Sequence, residues 1–592
     1  MGKLTSLRNE MKQQNFACYI IPTSDHHGSE YICATFEGRK YLSSFTGSAG
    51  TLVVTEDEAG LWTDGRYFVQ AEKELAGTGI SLYRMGEVDV PTISEYLKKT
   101  MKKEQTLAFD GRLVTAAAGL KMITELKENE INISYQEDLL ERIWFDRPNL
   151  PANKIWELAI DWSGQSTTEK LNEVRKKLAD KNSFLILNGL DDIMWLFNIR
   201  GSDIPQNPIA LAYAYISNEK AILFAQSKAV SDELNKSLAS AEVEVLEYHD
   251  FYSWLKGLKL ESNQKVLLDV DKCNYFIYKA MEDKAKTILD VSPVATLKAI
   301  KNETELKHIH EVYRKDSAAV IRLMKWLEET TEKISEMDVA HKINKLRSEI
   351  PGFLDISFST IAAYKANAAM VHYQADEKSN TMIEREGLLL IDSGGHYFGG
   401  TTDITRTIVM GEISENIKRD FTAVTRGMLN LSNITFLHGC TGRSLDIIAR
   451  KPLWDIYCDY KHGTGHGIGY MLSVHEGPQR LHMPYRKEVT ETILEPGMIV
   501  SNEPGVYKAG EYGIRIENIL VVKEVTKNED GRFLAFDTLT FVPIDLKAID
   551  ITQLNEKDKK ELNEYHLKVY EVMSTYLDGD EKEWLKKATR AV

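Results

Sequence analysis

The chain has 592 residues, 43% of them hydrophobic and 27% charged, and 73 Lys+Arg against 88 Asp+Glu give a formal net charge of -15. That length exceeds one core and implies about three or four domains, and the acidic balance argues against nucleic-acid binding as the main function. Cys18, Cys33, Cys273, Cys440 and Cys458 are scattered and form no C-x-x-C pair, which speaks against a zinc ribbon or a disulfide framework.

The opening residues 1–8 lack the apolar core of a signal peptide. Gly2 with Ser6 fits a myristoylation pattern only loosely. No apolar run approaches the roughly 20 residues of a membrane helix, so no membrane partner is expected and a reducing cytoplasm is the expected compartment.

Residues 15–70 alternate apolar runs with glycine turns: 17–21, 50–54 and 61–66 read as strands and turns, and 67–75 as a helix. The pattern restarts after Pro148 and Pro151, with strands expected at 183–187, 209–216, 221–224 and 265–268. These are two successive α/β domains, 1–155 and 156–296. A third, 297–592, starts with Asn302-Glu303-Thr304-Glu305, a capping residue before an acidic first turn, and Leu306, Ile309, Val312 and Tyr313 then recur at helical spacing. Ser335 caps a second helix. After Pro351 the chain reads mostly as strands and glycine turns, and a helical tail closes it over 556–588.

Five residues of the last third form a candidate metal site: Asp392, Asp403, His466, Glu503 and Glu517. Each stands against apolar or glycine residues, and a lone buried carboxylate must be neutralised, paired or given a metal. Asp392 ends an apolar run, and Asp403 sits among threonines in the returning segment, so an antiparallel pair places the two acids face to face. A solvated pair of turn aspartates is the alternative. His466 lies in a loop with Gly463, Gly465, Gly467 and Gly469, which lacks dinucleotide-binding spacing, and His462 and His475 lie close in sequence. Glu503 precedes Pro504 and must be extended. Arg515 and Glu517 alternate with isoleucines and share a face, which on its own also describes a surface ion pair. Four carboxylates and one imidazole suit two ions of Mn²⁺, Co²⁺ or Zn²⁺, which together activate a hydroxide and polarise a carbonyl. No serine or cysteine nucleophile with a supporting base stands out. The residues alone give a two-metal hydrolase without its substrate.

The order of the five ligands, with HGTGHGIG, SVHEGP, NEPGVY and GIRIEN around them, resembles the pita-bread metallopeptidases, and within them the long three-domain Xaa-Pro aminopeptidases (aminopeptidase P). FTGSAGTLVV, LWTDGRYF and the tail LNEYHLKVYEV extend the resemblance to nearly the whole chain. It implies two creatinase-like α/β domains before a pita-bread catalytic domain of α+β type. It implies two metal ions, usually manganese, with Asp403 and Glu517 bridging, Asp392 on one ion, and His466 and Glu503 on the other. It assigns His372 to the substrate near the scissile bond, His475 to the tetrahedral intermediate, His462 to the proline pocket and Arg515 to orienting the carboxylates. One local departure is Ala368-Ala369-Met370-Val371 before His372, where a glycine-containing approach is expected. The implied reaction is hydrolysis of the bond between an N-terminal residue and proline, by a metal-bound hydroxide, in a cytoplasmic homodimer. A dipeptide-only prolidase and a metal-free peptide-binding module are the rival readings. The first is disfavoured by two α/β domains ahead of the third, the second by the complete ligand set.

Overall fold

The computed structural model describes residues 2–260, 263–483 and 491–592. The chain divides into two compact units, Met1–Ala159 with Gln165–Val294, and Ile160–Gly164 with Ala295–Val592.

The first unit holds two mixed six-stranded sheets. One runs Ser81–Arg84, Ala59–Thr63, Thr51–Thr55, Cys18–Pro22, Thr106–Phe109, Asn132–Ser134 across its width. The other runs Val243–Glu247, Ala221–Ala225, Ala212–Ile216, Ser183–Leu187, Lys265–Leu268, Lys286–Leu289. Order and pairing sense are the same in both: antiparallel in the middle, parallel toward each edge. One topology therefore occurs twice. In the first sheet, Tyr19 and Ile21 pack on one face with Leu7 and Leu139, while Cys18 and Ile20 pack on the other with Leu97 and Leu126. Strand alternation sends neighbours to opposite faces, and helices cover both, so these strands read as continuous apolar runs.

The second unit opens with the helix Glu303–Glu329, whose Asn302 and Glu305 cap each other reciprocally. Ser335 and Asp338 do the same for the helix Glu336–Ser348. The strand Leu388–Ser393 lies between Ile361–Tyr364 and Ile404–Val409, antiparallel to both. Its end is fixed from within. Arg347 donates to Asp316 Oδ1 at 2.7 Å and Oδ2 at 3.0 Å, and to the Ser393 carbonyl at 3.0 Å. Both partners are fully buried, and removing either from such a pair costs about 3–5 kcal/mol. A four-stranded sheet orders Thr435–Leu437, Gly531–Thr538, Asn518–Asn528 and Ile499–Asn502, and Gly505–Lys508 pairs with Tyr512–Arg515. The tail forms the helices Glu556–Met573 and Gly579–Ala588.

Three local expectations need correction. The region after Pro351 is not mostly strands: the helices Glu415–Ser432 and Gly442–Trp454 lie in it. Phe421, Val424 and Met428 face the core at helical spacing, and a Ser414 cap starts the first of these helices. Asp392 pairs with Thr405, not Asp403. The hairpin Gly395–Tyr397 and Gly400–Thr401 belongs to another sheet, so the returning strand starts after Asp403. His466 lies in a short strand, Gly465–Gly467, paired with Glu476–Leu481, because Gly467 lets the two strands approach so closely that a Cβ there would collide with the Glu476 carbonyl.

Candidate metal centre

Strand ends of the second unit bring the five predicted ligands together. Potential ligand atoms of Asp392, Asp403 and Glu517 lie within 4.8 Å of one another, as do those of His466, Glu503 and Glu517, and those of Asp403, His466 and His475. Asp403, Glu517 and His466 thus each belong to two clusters, and Asp403 and Glu517 are the two shared between the Asp392 cluster and the His466 clusters. Asp403 and Glu517 are buried, and Asp392, His466 and Glu503 are half-buried.

Each ligand is held by its neighbours. His466 Nδ1 lies 2.9 Å from the Gly467 carbonyl, which can only accept. The proton is therefore on Nδ1, and the Nε2 lone pair is directed at Glu503 Oε1, 3.5 Å away, and Asp403 Oδ2, 3.6 Å away. Ser501 Oγ accepts from His466 N at 2.9 Å and donates to Glu503 Oε1 at 3.3 Å. Glu503 N donates to the Thr464 carbonyl at 2.9 Å. Thr405 Oγ1 donates to Glu517 Oε2 at 2.8 Å, and the buried Arg406 donates to the Glu517 carbonyl at 2.6 Å and to Tyr565 Oη at 2.8 Å. Arg515 Nη2 donates to Asp392 Oδ2 at 2.6 Å, and its Nη1 donates to Tyr507 Oη at 2.8 Å.

The predicted histidines surround this cluster. The exposed His475 ring sits 4.3 Å from that of His466 at 85°. His462 Nδ1 lies 2.7 Å from the Gly463 carbonyl, so its Nε2 accepts from Tyr507 Oη at 2.8 Å. Burial, then the Arg515 charge, lower the His462 pKa to about 3, which keeps a neutral ring. His372 is half-buried next to Val371, whose carbonyl Arg515 Nη2 reaches at 3.5 Å. The glycine expected before His372 has a counterpart on the opposing strand: a Cβ at Gly513 would strike the Ala368 carbonyl.

Thr405, Arg406, Ser501 and Tyr507 were not singled out from sequence. Tyr507 and Ser501 lie on either side of the NEP segment, and Thr405 and Arg406 follow Asp403 after Ile404, so proximity to the ligands was the available signal.

The carboxylates oppose one another. Burial, followed by Glu517, Asp392 and Glu503, pushes Asp403 well above the usual carboxylate range. Burial and then Glu517 raise Glu503, and burial and then Asp392 raise Glu517 to about 7. Asp392 Oδ1 and Asp403 Oδ1 are buried acceptors without a donor among the described residues. Hard oxygen donors in mutual repulsion, plus one correctly protonated imidazole, fit divalent cations.

The relatives decide the family. A probable Xaa-Pro aminopeptidase P of Laccaria bicolor is 37% identical over 601 residues, covering 99% of this chain and 92% of its own length. The chain belongs to the aminopeptidase P family. Aminopeptidase P2 of Arabidopsis thaliana is 38% identical over 629 residues, covering 99% of this chain and 88% of that protein. Among solved structures, the X-prolyl aminopeptidase of Caenorhabditis elegans, described as a cytosolic enzyme with a di-nuclear active site, superposes with a TM-score of 0.94 at 33% identity, over 100% of this chain and 99% of that one. Consistent with aminopeptidase P membership, residues 307–524 match metallopeptidase family M24, and residues 532–592 match the C-terminal region of peptidase M24. Residues 3–143 and 146–305 each match a creatinase/prolidase N-terminal domain, in keeping with the repeated topology of the first unit. The fold is that of two creatinase-like α/β domains followed by a pita-bread catalytic domain.

Proposed function

We propose that this chain removes the N-terminal residue from peptides with proline second, by hydrolysis at a centre of two divalent ions, most naturally manganese. The observation that carries the reading is that Asp403 and Glu517 each belong both to the cluster with Asp392 and to one with His466, the arrangement two adjacent ions need. Asp392 would help hold one ion, and His466 and Glu503 the other. When bound, the ions supply an activated water at neutral pH and polarise the scissile carbonyl.

The chain's own residues do the rest. Arg515 holds Asp392 through a charge-assisted bond and steadies Tyr507, which orients the neutral His462 ring. His462 lines the site for the proline ring. His372 contacts the substrate beside the scissile bond, and His475 donates a hydrogen bond to the oxygen that becomes anionic. The acidic shell accepts the substrate's free amine. An Xaa–Pro bond has no N–H and its ring fixes φ, so a preformed pocket binds it with little ordering cost.

The full-length match to relatives named as aminopeptidases P favours this reading over a dipeptide-only prolidase. Among the described residues no helix is long and apolar enough to cross a membrane, and the C. elegans relative is cytosolic. A cytosolic homodimer built through the catalytic domain is part of the proposal.

Asp403→Ala and Glu517→Ala test the assignment. Each variant should bind fewer than two ions per chain by elemental analysis and hydrolyse no Xaa-Pro peptide, while full activity in Asp403→Ala contradicts the site.

A further inference from the structure

Directly after His475 in the chain, Glu476 belongs to a buried charge lock that the catalytic assignment does not use. Glu476, Lys298 and Lys301 are 4%, 4% and 3% exposed. Lys298 Nζ donates to Glu476 Oε2 at 2.8 Å, Lys301 Nζ donates to Oε1, and Lys301 Nζ also donates to the Lys298 carbonyl at 2.8 Å. The lysine segment is itself fixed: Lys301 N donates to the Gly497 carbonyl at 3.0 Å, and Ile300 bridges Met498.

The geometry ties this lock to both site histidines. His475 stands in the bend directly before the strand Glu476–Leu481, with its ring 4.3 Å from that of His466, while the adjoining Glu476 side chain is buried against the two lysines, so anchoring Glu476 fixes the backbone from which the His475 side chain leaves. The backbone of Glu476 also pairs with Gly467, the residue after His466, at a register shift in the strand pair. Packed apolar residues would serve stability as well as a buried ion pair does. Two lysines converging on one carboxylate instead hold the side chain in a single direction.

We infer that Lys298, Lys301 and Glu476 are positioning residues for His475, setting the direction from which its ring meets the substrate. This rests on the reading of His475 as a substrate-facing group.

The test is a double-mutant cycle in the full-length, manganese-loaded protein, with turnover of an Xaa-Pro peptide, metal content and thermal midpoint measured for each variant. Glu476→Gln keeps the shape and removes the charge. It should lower kcat roughly ten- to hundredfold, the scale of a small misplacement of a reacting group, with KM and two ions per chain retained. Because Glu476 acts through His475, the double variant Glu476→Gln/His475→Ala should be no slower than His475→Ala alone. Lys298→Met should repeat the loss and Lys298→Arg should recover most of it. These two variants carry the test if Glu476→Gln does not fold. The inference is overturned if Glu476→Gln turns over at the parental rate while His475→Ala is slow, if kcat falls only in proportion to lost metal, or if the two losses multiply. Parental turnover in His475→Ala instead overturns the role given to His475 itself.

Discussion

Arg515 Nη2 lies 2.6 Å from Asp392 Oδ2, and both groups are shielded from solvent, the arginine side chain to 2% exposure and the aspartate to 14%. One guanidinium therefore offsets part of the charge of a four-carboxylate cluster and, through Tyr507, sets the His462 ring. A lysine offers a single point of contact and cannot span both partners. Arg515→Lys should lose about 10–100-fold in metal affinity or activity, the usual effect of removing a partner that orients a ligand. Metal titration against a competing chelator reads the affinity directly, and an affinity equal to the parent's with full turnover would show that Arg515 orients nothing.

The carboxylates predict a pH effect in metal-free protein. A carboxyl whose folded pKa is raised stabilises the fold while protonated and loses that contribution as pH rises through the raised value. Asp403 and Glu503 are raised, and Glu517 moves from 4.5 to about 7. Metal-free chain should therefore lose stability as pH rises from about 4.5 through 7. Metal binding needs the deprotonated ligands, so the gain in thermal midpoint on adding Mn²⁺ should widen between about pH 5 and pH 8. A gain independent of pH would contradict the assignment of these groups as ligands.

A second pH effect belongs to the first unit and has the opposite sign. His27 Nδ1 donates to the Asn188 carbonyl at 2.9 Å, and its Nε2 accepts from Tyr248 Oη at 2.8 Å. Burial lowers its pKa from 6.5 to about 4. The neutral ring is favoured in the fold, so its contribution is present above pH 6.5 and is lost as pH falls toward 4. At about 1.4 kcal/mol per unit, the loss is about 3 kcal/mol. Denaturant midpoints of the parent and of His27→Gln measured through this range check it: the parent should lose stability faster on acidification, and parallel slopes would count against a buried neutral His27.

Much of this site was legible in sequence because each ligand breaks a local rule: an acid at the end of an apolar run, a histidine among glycines, a glutamate before proline. The helix starts at Asn302 and Ser335 were legible for the same kind of reason, since a capping box is a local pattern. What escaped was set by distant partners. The pairing of Asp392 with Thr405 depends on a hairpin that leaves for another sheet. The role of Arg406 depends on Tyr565, 159 positions away along the chain. The helices at 415–432 and 442–454 had the right apolar spacing, but glycine-rich and β-branched neighbours drew the region toward strand.

The most direct test of the central claim is cleavage of a small peptide library by the manganese-loaded chain, read by mass spectrometry, with X-Pro-Y peptides beside X-Ala-Y peptides and N-acetylated X-Pro-Y controls. The account predicts release of the N-terminal residue from X-Pro-Y peptides, a steep fall in kcat/KM when alanine replaces proline, because the pocket loses both contact and preorganisation, and no cleavage once acetylation removes the amine's charge. Equal cleavage of X-Ala-Y and X-Pro-Y peptides would contradict it, leaving a general aminopeptidase at the same metal centre.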